Sequence, residues 1–247
     1  MPGFLIVGAQ RAGTTYLYDM LVGQPGVAPA LTKEVHFFDV RYERGLGWYR
    51  TFFPPRLGRR PPLTGEASPY YMFHPHVPRR VAESLPQIKL IALLRNPVDR
   101  AYSQYQHERR RGFETLSFEQ AIEREPERLA GEEERMLRDE RYQSYSHQHH
   151  SYLARGAYAP QIERWLAAFP REQLLIVAAE RLYSHPGAIL QQTLEFLDRP
   201  AARSRSERQP SYPRYDEMDA GLRRRLTDYF APHNQRLCER LQMTFDW

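Results

Sequence analysis

The chain has 247 residues, of which 41% are hydrophobic and 26% charged, a composition typical of a folded globular protein and not of a disordered or fibrous one. The net charge is +5 and all but two of the 35 basic residues are arginine. This favours small anionic ligands, whereas the absence of a zinc-finger or RNA-binding signature argues against nucleic acid. The only cysteine, Cys238, excludes an internal disulfide or a cysteine zinc site and favours a reducing, cytoplasmic location.

Short apolar runs alternate with helical patterns along the chain. Buried strands are predicted at Phe4–Val7, Ile88–Leu94 and Leu174–Ala178. Helices are predicted at residues 14–23, near Trp48–Phe53, and at Arg79–Leu85, Val98–Arg111, Phe118–Arg124, Ala157–Phe169, Ala188–Leu197 and Asp219–Leu241. Residues 41–62 and Ala201–Tyr215 read as irregular segments. This alternation predicts an α/β fold, a parallel β-sheet flanked by helices, in a single domain over residues 1–247.

No apolar run approaches the roughly 18 residues that span a bilayer. The first run, Phe4–Val7, leads straight into Gly8 and Arg11, which is not the pattern of a secretory leader. We therefore expect a protein without a transmembrane segment.

The stretch from Gly8 to Thr15, GAQRAGTT, lies between the first predicted strand and the first predicted helix. Glycines there allow the backbone to approach an anion at the helix N-terminus. The spacing matches the Walker A pattern, but Thr14 stands where a nucleoside triphosphatase needs lysine. Arg11 supplies a positive charge instead. The pattern predicts an anion site that does not hydrolyse ATP.

A second anion site is predicted where the second strand ends. Arg95 follows Ile88–Leu94 and Ser103 comes eight residues later. The carboxyl ends of parallel strands are where ligands bind in such sheets. The alternative is an arginine that caps a strand beside a surface serine. Two separated anion sites suit a nucleotide with phosphates at both its 5′ and 3′ positions.

Several motifs in order resemble the sulfotransferases that use 3′-phosphoadenosine 5′-phosphosulfate (PAPS), in their heparan sulfate N- and 3-O-sulfotransferase branch. Lacking the disulfide that often braces lumenal members, the chain looks like a bacterial-type member. The resemblance implies a sulfotransferase fold related to the P-loop nucleotide kinases. The motifs are the two nucleotide signatures, Phe4–Leu21 and Leu90–Ser103, with Lys33–Asp39, Gly45–Tyr49, Arg155–Tyr158, Ile162–Phe169, Tyr212–Asp219 and Thr244–Trp247.

The family's donor contacts imply roles for matching positions in this chain. The donor-binding residues implied are Arg11, Ala12, Gly13, Thr14, Thr15, Arg95, Ser103, Arg208 and Tyr212. Arg11 contacts the leaving phosphate, where most members carry lysine. Arg95 and Ser103 bind the 3′-phosphate. The products are a sulfated acceptor and adenosine 3′,5′-bisphosphate (PAP), and the scheme uses no metal.

The resemblance also implies that Glu34 is the general base, with Arg11 and His36 completing the catalytic set. Without the family resemblance, the sequence indicates that Glu34 is a surface carboxylate paired with Lys33 and that His36 is a packing residue. If the segment is extended, Glu34 and His36 face the same side. Glu66 is a secondary candidate. Relatives usually follow it with a lysine, and Ala67 stands there in this chain, which puts in doubt an acceptor or sulfate contact that relatives make.

The residues leave other functions open. One alternative is an ATP-dependent P-loop phosphotransferase, and another is a non-catalytic protein that binds anionic saccharides. The acceptor is a saccharide or a small molecule, sulfated on a hydroxyl or an amine. His149 and His150 have no carboxylate or cysteine partner at ligand spacing in the sequence, so no metal site is expected there.

Overall fold

The computed structural model describes residues 1–55, 61–200 and 216–247. The strands are β1 (Phe4–Gly8), β2 (Val27–Ala28), β3 (Leu63–Ala67), β4 (Lys89–Leu94) and β5 (Leu174–Ala178). The α-helices are α1 (Thr14–Val22), α2 (Phe37–Val40), α3 (Gly45–Arg50), α4 (Val77–Ser84), α5 (Pro97–Arg110), α6 (Phe118–Leu129), α7 (Glu132–Arg138), α8 (Tyr145–His149), α9 (Tyr158–Ala168), α10 (Ala179–Ser184), α11 (Pro186–Phe196) and α12 (Ala220–Leu241).

The strands form one sheet in the order β2-β3-β1-β4-β5, and every neighbouring pair is parallel. All of β1 is buried, and β4 is buried after its first residue. Strands buried on both faces need covering helices, which is why their sequences are continuous apolar runs. The predicted α/β class and the three predicted strands are confirmed. No helix within the described ranges has the length and apolar character that a membrane span requires.

Two compact units share the chain. Among the described residues, 1–94 and 165–200 form the first unit, and 95–164 and 216–247 form the second. The sheet belongs to the first unit. The second is helical, with a core that includes Val98, Tyr105, Phe118 and Phe230.

The sequence prediction misses β2 and β3. The β3 sequence, LTGEA, has no apolar run, yet its last four residues are buried. Gly65 is required there because a Cβ at that position would lie 2.4 Å from the Phe4 ring on the neighbouring strand. Glu66 is buried because side chains from other segments satisfy its oxygens, as described below. Both features depend on tertiary neighbours, so no local pattern marks this strand.

Helix termini follow recognisable capping chemistry. Asn96 accepts hydrogen bonds from the N–H groups of Val98 (3.0 Å) and Asp99 (3.4 Å), so α5 begins directly after β4. Asp219 caps α12 in the same way. The helix predicted at Ala188–Leu197 begins earlier, at Pro186, and a separate short helix, α10, precedes it. The predicted loop Ala201–Tyr215 lies outside the described residues.

Candidate active site

The turn that joins β1 to α1, residues Gly8–Thr15, is called the glycine turn below. Gly13 adopts φ +89° and a Cβ there would lie 2.7 Å from the Tyr183 hydroxyl oxygen. A Cβ at Gly8 would lie 2.5 Å from the Cβ of Met72. Both positions therefore need glycine.

The glycine turn has the shape of an anion site. Gly13, which has no side chain, is the N-cap of α1, so the backbone N–H groups and the positive end of the helix dipole lie at this turn. Arg11 adopts φ +69°, Ala12 and Thr14 are buried, and Thr15 is exposed. The structure thus brings the predicted residues Arg11–Thr15 into one turn.

The C-terminal ends of β1 and β3 lie at the same edge of the parallel sheet. After β3, a short 3-10 helix, Pro69–Met72, packs against Gly8 through Met72. The same helix carries Tyr71, whose hydroxyl accepts hydrogen bonds from the N–H groups of Phe37 (2.9 Å) and Phe38 (3.3 Å). One short element therefore contacts both the glycine turn and the chain just after Glu34.

Three side chains of this segment form a connected trio. Glu34 Oε2 lies 3.4 Å from His36 Nε2, and His36 Nδ1 lies 2.7 Å from Asp39 Oδ2. Glu34 Oε1 also lies 2.7 Å from Lys33 Nζ, so the ion pair expected as the alternative interpretation is present together with the histidine contact. The Glu34 side chain is 42% exposed, whereas that of Asp39 is fully buried.

The backbone of this segment corrects one expectation. Glu34 has φ +60° and His36 has φ +54°, so the segment is not extended. Two left-handed residues around Val35 turn the chain and bring the carboxylate onto the imidazole.

The trio shifts the pKa values of its members. Burial opposes ionisation of Glu34, but the hydrogen bond with His36 and the charge of Lys33 outweigh it and lower the pKa of Glu34 to about 2. Burial also disfavours the imidazolium of His36, yet its contacts with Asp39 and Glu34 raise its pKa to about 10. His36 is therefore a cation at neutral pH, with a carboxylate at each ring nitrogen.

The acceptor substrate cannot contact Glu66, because Glu66 is completely buried. Its carboxylate accepts hydrogen bonds from Tyr49 (2.6 Å), Ser68 (2.7 Å), Tyr71 (3.0 Å) and the Val35 N–H (3.2 Å). Burial raises the pKa of Glu66, and the three hydroxyls oppose that rise. Glu66, the secondary candidate, therefore lies in the core, where it makes no direct contact with solvent.

The second predicted anion site lies in the second unit. Arg95 precedes α5, and its carbonyl accepts a hydrogen bond from the Tyr158 hydroxyl at 2.8 Å. Ser103 is buried within α5. Burial and the nearby charges of Arg155 and Arg95 lower the pKa of Arg100 to about 10. The charges of Arg155 and Arg95 thus act on Arg100, and the charge of Glu125 opposes them.

Other predicted residues have simpler outcomes. Arg208 and Tyr212 lie outside the described residues. His149, which has no carboxylate at ligand spacing in the sequence, contacts Glu108 at 3.1 Å, since the fold joins residues that are distant in sequence. Across the described ranges, no group of three or more His, Cys, Asp or Glu side chains is arranged to hold a metal ion.

Sequence reasoning missed Asp39 and the buried residues around Glu66. Asp39 follows His36 by three residues, a spacing that places both side chains on one face of a turn, so a local signal existed. Tyr49, Ser68 and Tyr71 gave no such signal, because their shared contact with Glu66 depends on the fold.

Comparison with known proteins identifies the family. The sulfotransferase domain family model matches residues 2–229. The chain is 32% identical to bovine (Bos taurus) bifunctional heparan sulfate N-deacetylase/N-sulfotransferase 2 over 98% of this chain and 29% of that protein. It is 30% identical to human heparan sulfate glucosamine 3-O-sulfotransferase 6 over 100% of this chain and 73% of that one.

A solved structure gives the same result. The crystal structure of a sulfotransferase from Alicyclobacillus acidocaldarius superposes with a TM-score of 0.75 and 31% identity, covering 99% of this chain and 97% of that chain. The chain spans less than a third of the N-deacetylase/N-sulfotransferase that it matches. With the parallel sheet and the glycine turn already described, these matches show that the chain belongs to the sulfotransferase family of enzymes.

Proposed function

We propose that the chain transfers a sulfuryl group from PAPS to an amine or hydroxyl of a saccharide or small-molecule acceptor. One observation carries the proposal. The half-exposed Glu34 carboxylate, held by His36 and Asp39, belongs to a segment anchored to the same short helix that packs against the glycine turn. An anion site and an ionised carboxylate are the two parts that sulfuryl transfer needs.

The glycine turn suits the 5′-phosphosulfate of the donor. Its backbone N–H groups and the dipole of α1 bind anionic oxygens, and the side chain of Arg11 adds a positive charge. Two departures favour this donor over a magnesium-bound triphosphate. The Walker lysine is missing, and Arg95 follows β4 where a nucleoside triphosphatase would carry an aspartate that helps to hold magnesium. In this scheme the leaving phosphate is stabilised by Arg11, the backbone amides and the helix dipole.

The 3′-phosphate is assigned to Arg95 and Ser103. The positive charge of Arg100, which lies near Arg95, supports an anion there. Arg208 and Tyr212 are proposed as further donor contacts on the family resemblance alone.

In the reaction, the acceptor nitrogen or oxygen forms a bond to sulfur while the bond from sulfur to the bridging phosphate oxygen breaks. PAP leaves, and the acceptor proton passes to the Glu34 carboxylate. The imidazolium of His36 orients that carboxylate, and Asp39 holds the imidazole. With a pKa of about 2, Glu34 is ionised but weakly basic. An acceptor that displaces Lys33 from Oε1 would raise its proton affinity.

Two other functions make different predictions. An ATP-dependent phosphotransferase should need magnesium and bind ATP more tightly than PAP. A non-catalytic protein for anionic saccharides should transfer no sulfate and be indifferent to substitution of Glu34.

The acceptor is proposed from the named relatives, a heparan sulfate N-deacetylase/N-sulfotransferase and a heparan sulfate glucosamine 3-O-sulfotransferase. We also propose that residues 1–247 act as one sulfotransferase domain, because the family match runs through both units. A cytoplasmic, bacterial setting is proposed from the single cysteine and the similarity to the Alicyclobacillus protein.

A transfer assay tests the proposal. The protein is incubated with PAPS carrying radioactive sulfur and with either de-N-sulfated heparin, which offers amines, or N-sulfated heparan, which offers hydroxyls. We expect label in one polysaccharide, and its rate of incorporation should be about 10²–10⁴-fold lower with the Glu34→Gln variant. No transfer to these or to a wider set of saccharide and small-molecule acceptors would contradict it.

A further inference from the structure

Building on the proposed function, we propose that Glu66 is a positioning residue. Through Tyr71 and Ser68, its buried carboxylate fixes the backbone of residues 35–38 so that the side chains of Glu34 and His36 meet. Glu66, Tyr49, Ser68 and Tyr71 are called the Glu66 network below.

Both oxygens of Glu66 act only as acceptors. Oε1 lies 2.6 Å from the Tyr49 hydroxyl and 3.0 Å from the Tyr71 hydroxyl. Oε2 lies 2.7 Å from the Ser68 hydroxyl and 3.2 Å from the Val35 nitrogen. A carboxylate has lone pairs for all four donors. In the isosteric glutamine, an NH₂ group replaces one oxygen and would face two of these four donors.

The hydroxyls of Tyr71 and Ser68 donate to Glu66 and accept hydrogen bonds from the backbone of residues 36–38. The Tyr71 oxygen accepts the N–H groups of Phe37 and Phe38 at 2.9 and 3.3 Å, so its single hydrogen points to Glu66. Ser68 Oγ likewise accepts the His36 N–H at 3.2 Å and donates to Glu66. Glu66 therefore anchors four successive N–H groups, those of residues 35–38, one directly and three through a hydroxyl.

The carbonyl side of the segment is held by arginines. The guanidinium of Arg41 donates to the Val35 carbonyl at 2.6 Å, and that of Arg80 donates to the Phe38 carbonyl at 2.8 Å. With both its N–H and its C=O groups fixed, the segment keeps Glu34 and His36 in left-handed conformations that residues with a Cβ rarely adopt.

Stability alone does not explain a carboxylate at this place. Burial raises the pKa of Glu66, which means that the folded protein disfavours its charged form. An apolar side chain of similar volume avoids that cost. What it cannot do is accept four hydrogen bonds and orient two hydroxyls toward a neighbouring loop.

The two tyrosines of the Glu66 network allow a matched pair of variants, Tyr71→Phe and Tyr49→Phe. Both tyrosines are fully buried and each donates one hydrogen bond to Glu66 Oε1. Only Tyr71 also contacts the N–H groups of Phe37 and Phe38. The two variants therefore lose the same group from the core but differ in their effect on the segment.

Three readouts separate positioning from general destabilisation. Turnover with PAPS and de-N-sulfated heparin reports the reaction, and calorimetric titration with PAP reports donor binding. Nuclear magnetic resonance of the imidazole nitrogens reports the pH at which His36 loses its proton. That pH depends on how closely Glu34 and Asp39 face the ring, with Lys33 acting through Glu34.

For Tyr71→Phe we expect kcat to fall about 10- to 100-fold, with PAP affinity unchanged within about threefold. The His36 midpoint should move from about 10 towards its ordinary value of 6.5. For Tyr49→Phe both kcat and the midpoint should change far less. If Tyr71→Phe does not fold, Ser68→Ala, which removes the acceptor of the His36 N–H, is expected to show the same pattern.

Equal effects of the two tyrosine variants, or an unchanged His36 midpoint in Tyr71→Phe and Ser68→Ala, would overturn the proposal. If the wild-type protein transfers no sulfate, the proposed function fails. The comparison of His36 midpoints still decides whether the Glu66 network positions the segment.

Discussion

Replacing His36 with asparagine should destabilise the protein strongly at neutral and acidic pH and only weakly in alkali. Asparagine tolerates the left-handed conformation of this position, so the change removes mainly the imidazolium between Asp39 and Glu34. The folded protein holds the His36 proton more tightly than the unfolded chain does, because its pKa is raised from 6.5 to about 10. The stabilisation is therefore complete below pH 6.5 and is lost as the pH rises through about 10.

The size of this effect follows from the same values. At about 1.4 kcal/mol for each pH unit, the whole difference corresponds to roughly 5 kcal/mol. Glu34 is 42% exposed, so solvent screens its contact with the ring, and we expect about 2–3 kcal/mol to be measured.

Urea unfolding of the wild-type and His36→Asn proteins at several pH values between about 6 and 10 measures this contribution. The difference between the two free energies of unfolding should narrow as the pH rises. Taking the difference cancels the titration of groups that do not interact with His36. A difference that stays constant, or that widens in alkali, would refute the assignment of His36 as a partly buried cation.

Three further substitutions test the assigned roles. Glu34→Gln should lower kcat by about 10²–10⁴-fold with little change in PAP affinity, and full activity in a steady-state assay would remove Glu34 as the base. Arg95→Ala should weaken PAP binding by about 1.5–3 kcal/mol, or roughly 10- to 150-fold in Kd; unchanged calorimetric affinity would place the 3′-phosphate elsewhere. Gly13→Ala should cost about 2 kcal/mol or more, because φ is +89° and the new Cβ meets Tyr183; a thermal scan without loss of stability would contradict the strained geometry.

The parts of the fold that sequence reasoning found are those with a local cause. β1, β4 and β5 are continuous apolar runs, and the glycine turn carries its spacing in consecutive residues. Physical patterns alone were sufficient there, and the family resemblance added the roles of the residues.

The parts of the fold that sequence reasoning missed depend on contacts between residues that are far apart in the chain. β3 is polar in composition, and it is buried only because Gly65 admits the Phe4 ring and because hydroxyls from Tyr49 and Tyr71 reach Glu66. The left-handed turn at Glu34 escaped for the same reason, since it is held by contacts with residues about thirty positions away. Secondary-structure propensity contains no information on such partners.

The preference of the protein for its nucleotide tests the central claim most directly. In a calorimetric titration without magnesium, PAP should bind with a clear heat signal and more tightly than ATP, because the glycine turn lacks the lysine that a triphosphate requires. Tighter binding of ATP in the presence of magnesium, with no measurable binding of PAP, would contradict the account.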